Sequence, residues 1–180
     1  MYNKVIDNIK PLGFTWETKD PFLFCVHHLD KYPKGNDEFG PAASLAGRNL
    51  GQDFTTKDGW RMYHGETVPG FPAHPHRGFE TVTVVLRGFV DHSDSHGAAG
   101  RYGNGDVQWM TAGSGLLHKE YHEEEFSRKG GTFQMVQLWV NLPAKDKKTK
   151  PKYQEITNAM MGRAYLDDKE SFIEVIAGDY

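Results

Sequence analysis

The chain has 180 residues, enough for one domain with a full core and some extension. A net charge of -3 with an isoelectric point near 6.3 argues against broad nucleic-acid binding, which wants a basic face. The single cysteine, Cys25, excludes an internal disulfide and fits a reducing compartment, so a cytoplasmic location is expected.

The opening segment MYNKVIDNIKPLGF is polar and lacks the apolar core of a signal peptide. No stretch reaches the length of a membrane span. Phe22 to His28 (FLFCVHH) predicts a buried strand, and Tyr32 to Thr56, rich in Gly, Asn, Asp and Ala, a long loop or excursion. Strand character resumes over Trp60 to Thr67. Glu80 to Arg87 (ETVTVVLR) is the clearest strand, dense in β-branched residues and closed by Gly88. Phe89 to His92 leads into a Gly- and Ser-rich connection, DSHGAAGRYGNGD, in which Asn104-Gly105 marks a turn. Val107 to Thr111 and Leu116 to Tyr121 predict strands on either side of an AGSG turn. Gly131 to Val140 (GTFQMVQLWV) alternates as a further strand. The basic run Lys145 to Lys152 reads as a solvated linker, and Phe172 to Ile176 as a final strand that should not be left as a bare edge. Short strands and many turns predict an all-β sandwich or barrel of jelly-roll type.

Two short motifs carry the chemistry. His74-Pro75-His76 and His118-Lys119-Glu120 each place two candidate ligands at i, i+2, on one face of a strand. Side by side, such strands bring three imidazoles and a carboxylate to one point. That donor set, with an open position, suits Fe(II) and oxygen chemistry. By the same parity Glu80 shares a face with His76, while Phe79 points away, and His122 joins His118 and Glu120. Glu80 stands four residues beyond His76, roughly 13 Å along a strand, which favours Glu120 as the carboxylate. His92 and His96 are candidates for a supporting shell or the mouth of the site. Phe71, Phe79, Trp109 and Met110 are candidate cavity walls. Glu123 to Glu125 read as a solvated acidic turn. Ser114 lacks the G-x-S-x-G context of a nucleophile elbow, and no phosphate-binding glycine pattern occurs.

GFPAHPHRGFETVTVVLRG and GDVQWMTAGSGLLHKE resemble the signature of the pirin family in the cupin superfamily, over about Asp20 to Tyr153. The resemblance implies a cupin-type jelly-roll β-barrel holding one Fe(II) per cupin domain. It implies His74, His76, His118 and Glu120 as the metal ligands, whereas the wider cupin pattern would take Glu80. Residues 1–144 would form the pirin-like cupin domain. Residues 145–180 would form a linker and the start of a missing or truncated second one. The function implied is a quercetin 2,3-dioxygenase-type reaction on a small aromatic substrate with dioxygen, Glu120 accepting the substrate proton. The alternative is an iron-dependent regulator that binds transcription factors or metabolic enzymes. A protein partner or a homodimer is expected, with no direct nucleic-acid contact and no membrane.

Overall fold

The computed structural model of the chain describes residues 9–11 and 13–179, so most of the polar opening segment lies outside it. The strands are β1 (Thr15–Trp16), β2 (Phe22–Tyr32), β3 (Gly70–His76), β4 (Phe79–Arg87), β5 (Phe89–Asp94), β6 (Ala99–Gly103), β7 (Val107–Thr111) and β8 (Leu116–His122). A helix α1 (Glu124–Lys129) follows, then β9 (Gly131–Asn141), β10 (Lys152–Ile156), β11 (Gly162–Tyr165) and β12 (Phe172–Val175). All pairings between these strands are antiparallel. A six-stranded sheet has the order β1-β2-β9-β4-β7-β10, and a four-stranded sheet β3-β8-β5-β6. Val85 and Met135 from the first sheet meet Val90 and Tyr102 from the second in one core cluster. That shared interior is the barrel.

β4 explains its own composition. Thr81, Thr83 and Val85 point inward and are fully buried. Val82 and Val84 point outward, yet they too are covered, by Trp109, Leu138, Val140, Ile156 and Ile176. A strand apolar on both faces needs cover on both, and the segment after β9 supplies the outer one. β10 pairs with β7, so the barrel's sheet runs past residue 144. The expected C-terminal strand pairs with β11 as a hairpin, and Ile176 docks on the outer cluster while Phe172 stays exposed.

Three expectations change. Trp60 to Thr67 is not a strand. It is a loop held by isolated bridges, Asp53 to Tyr63 and Tyr63 to Gly70. Trp60, Arg61, Met62 and Tyr63 are all buried in succession, which no two-faced strand with one wet side would do. The Arg48 guanidinium lies over Trp60 at 3.4 Å, and Arg61 Nε donates to Asp30 at 2.9 Å, tying the excursion to β2. Ala99 to Gly103, expected as connection, is β6. Glu123 is not a solvated turn residue: it is buried and caps α1, accepting from the Phe126 N–H at 2.8 Å. Glu124 and Glu125 then sit in the first turn of α1 and pair with Arg128 and Lys129 four residues on.

Candidate metal centre

β3 and β8 are neighbours, and His74 faces His118 across them. The two i, i+2 motifs are thus brought onto neighbouring strands, and their side chains fall into two groups that share His118. The donor atoms of His74, His76 and His118 lie within 4.8 Å of one another, and so do those of His92, His118 and Glu120. His118 Nε2 stands 3.0 Å from His74 Nε2 and 4.0 Å from Glu120 Oε2. His74 is half-buried, while His76, His118 and Glu120 are buried.

The surrounding bonds fix how the rings present themselves. His74 Nδ1 lies 2.8 Å from the Pro72 carbonyl, so it carries the proton and leaves Nε2 as a lone pair. His118 Nδ1 stands 3.2 Å from His92 Nδ1, which Gln108 Nε2 also approaches at 3.0 Å. His92 Nε2 in turn lies 3.6 Å from Asp94 Oδ2. Tyr102 donates to Glu120 Oε1 at 2.7 Å, which turns Oε2 toward His118. Burial, then the neighbouring His118 and His74, hold His76 down to about 3; burial, then His74 and His92, do the same for His118. Both rings are neutral at ordinary pH and offer lone pairs. Imidazole nitrogens crowded at 3.0 Å in a buried pocket, with a carboxylate beside them, are what a divalent cation would satisfy, so the donor set fits a metal.

A cavity of about 450 Å³ opens on this cluster. His74, His76 and Glu120 line one end, and Phe14, Phe24, Phe54, Phe71 and Trp139 line its walls. Phe79 does not point away from the cluster. Its ring lies 5.1 Å from His76 and 4.8 Å from Trp139, because the Arg77-Gly78 turn between β3 and β4 resets the parity, with Gly78 at φ +77°. The same reset carries Glu80 off the cluster, where it accepts from Thr111 Oγ1 at 2.6 Å. Trp109 belongs to the outer apolar cluster, not to the cavity, and Met110 packs with Ala112 and Leu116. His122 shares the face of Glu120 but ends among Tyr32, Phe126 and Phe133. His92 is buried beside His118, while His96 is exposed and faces the Gly115 carbonyl. No motif in the sequence singles out Tyr102, Gln108 or Asp94. The first lies two residues before an Asn-Gly turn, a place where a strand end is expected.

A double-sheet antiparallel barrel with a His/Glu cluster that could hold a metal ion defines a cupin-type protein. The pirin family model matches residues 15–140, and the chain belongs to the pirin family of the cupin superfamily. A Pseudomonas aeruginosa protein provisionally named quercetin 2,3-dioxygenase is 59% identical over 111 residues, covering 62% of this chain and 39% of that one. Pirin-1 of Arabidopsis thaliana is 48% identical over 110 residues, covering 61% and 36%. The crystal structure of a quercetin 2,3-dioxygenase from Acinetobacter baumannii matches with TM-score 0.68 and 40% identity, over 89% of this chain and 46% of that one. The chain thus spans less than half the length of each of these relatives. No helix among the described residues is long and apolar enough to cross a membrane.

Proposed function

We propose that the chain is the iron-binding barrel of a dioxygenase acting on flat hydroxylated aromatics of the flavonol type. The observation that carries this is the aromatic-walled cavity of about 450 Å³ ending on His74, His76 and Glu120. His74, His76, His118 and Glu120 would hold one Fe(II), with Glu120 also the proton acceptor. When bound, the iron supplies a Lewis-acid site and one-electron reactivity toward dioxygen.

The chain's own residues do the rest. Phe71, Phe24 and Trp139 hold a planar ring system and exclude water. Tyr102 fixes the Glu120 carboxylate through Oε1 with Oε2 toward the cluster, and that carboxylate would take the proton of a substrate hydroxyl. The His92 ring behind His118, its Nδ1 3.2 Å from His118 Nδ1, keeps that ring oriented. The test is oxygen consumption by iron-loaded protein over a panel of flavonols and catechols. Uptake with at least one flavonol, abolished in Glu120→Gln, is expected; no uptake with any of them sinks the reading.

A second reading is an iron-dependent regulator that docks on a transcription factor or metabolic enzyme. Its support is an apolar groove of about 420 Å³ between the outer sheet face and the C-terminal hairpin, lined by Trp109, Leu138, Val140 and Ile173. A pull-down that depends on bound metal would favour the regulator.

A further inference from the structure

The cavity that ends on the metal cluster has a second polar group in its wall. His28 projects from β2 into an aromatic cage, with Phe14, Tyr63 and Phe71 edge-on at ring-centroid distances of 5.3, 4.8 and 6.0 Å. The residue is 2% exposed and lines the cavity. Its Nδ1 is buried and has no hydrogen-bond partner among the described residues. Buried polar atoms are almost always paired, and an orphan is costly to keep.

Away from the metal cluster, Gln137 is committed and His64 is exposed to solvent. Gln137 donates from Nε2 to Thr83 Oγ1 at 3.0 Å and accepts the Trp139 indole N–H at 3.0 Å. His64 is exposed, with Nδ1 donating to the Gly51 carbonyl at 2.9 Å. His28 is left free. Burial, then the charges of Arg61 and His27, hold it down to about 3, so it is neutral and offers one donor and one acceptor. The Phe71 ring stands between the two polar ends, 6.0 Å from His28 and 6.3 Å from His74.

We propose that His28 is a substrate-binding residue that hydrogen-bonds a hydroxyl at the end of the substrate remote from the metal cluster. The site then selects extended aromatics with polar groups at both ends and at least two rings, laid along Phe71. This rests on the flavonol reading above and names what that site prefers within the class.

The experiment is equilibrium binding to the iron-loaded protein without dioxygen. Two flavonols are compared that differ only in the hydroxyls of the pendant phenyl ring. Wild type should bind the hydroxylated ligand roughly 5- to 10-fold tighter, the worth of one hydrogen bond to a neutral partner. His28→Phe, which keeps a flat ring and removes both nitrogens, should bind the two alike, and His28→Gln should restore part of the preference. A ratio near one in wild type overturns the proposal without any variant having to fold. So does an unchanged ratio in a folded His28→Phe protein. Binding of neither flavonol removes the dioxygenase reading and this inference together. A preserved ratio with no turnover removes only the dioxygenase reading.

Discussion

Replacing Tyr102 by Phe tests whether the cluster depends on a residue that never touches the metal. Tyr102 is fully buried, and its hydroxyl donates to Glu120 Oε1 at 2.7 Å. Burial first, and the Glu120 charge second, push its own ionisation well above the usual 10, so it remains a donor throughout the accessible pH range. A hydrogen bond to a charged acceptor contributes about 1.5–3 kcal/mol. At about 1.4 kcal/mol per tenfold, its loss predicts a metal affinity weaker by roughly 10- to 100-fold. The variant also leaves a buried carboxylate oxygen without a donor, so the metal-free protein should lose stability as well. Affinity is therefore measured in the cold by competition with a chelator, well below the unfolding transition. An affinity within about twofold of wild type would refute the view that Tyr102 orients Glu120 for the metal.

Glu80→Gln should keep its metal, because Glu80 accepts from Thr111 outside the cluster, while Glu120→Gln should lose much of it; elemental analysis showing equal or greater loss in Glu80→Gln would reverse the assignment. Asp30→Ala strands Arg61, whose Nε donates to Asp30 at 2.9 Å, and also removes the acceptor of the Tyr63 hydroxyl, so urea unfolding should show a loss of about 3–5 kcal/mol. His28 is held down to about 3 in the folded state against about 6.5 unfolded, so the stability it contributes is present above pH 6.5 and is lost as pH falls toward 3. Between pH 7.5 and pH 5 wild type should accordingly lose about 2 kcal/mol more than His28→Phe; equal losses in urea titrations would show that His28 does not titrate this way.

Much of this molecule was legible because strand periodicity is rigid. β2, β4, β7, β8 and β9 follow from runs of β-branched and aromatic residues, and the pairing of β3 with β8 brings together the two i, i+2 motifs. What was hidden was hidden by glycine. Gly100 and Gly103 make β6 read as a loop, yet each is there because something presses on the strand. A Cβ at Gly100 would strike the Tyr153 hydroxyl, and one at Gly103 the Gly88 carbonyl. Composition cannot separate a glycine needed for close approach from one needed for a turn, and Tyr102 was lost with its strand.

Parity failed at one place, and the failure is instructive. Counting by twos from His76 puts Glu80 among the ligands and Phe79 outside. That count is sound only along a single strand. At Arg77-Gly78 the chain leaves the four-stranded sheet and enters the six-stranded one, and Gly78 takes the positive φ of +77° that a side chain would resist. After the turn, odd residues face the barrel interior: Phe79 packs on His76, and Thr81, Thr83 and Val85 are fully buried. The carboxylate next to the cluster is then the one on β8, where Glu120 follows His118 with no turn between them, and the one on β4 is carried to the outer face. A Gly beside a motif of this kind is therefore a reason to restart the count, and here restarting it separates Glu120 from Glu80.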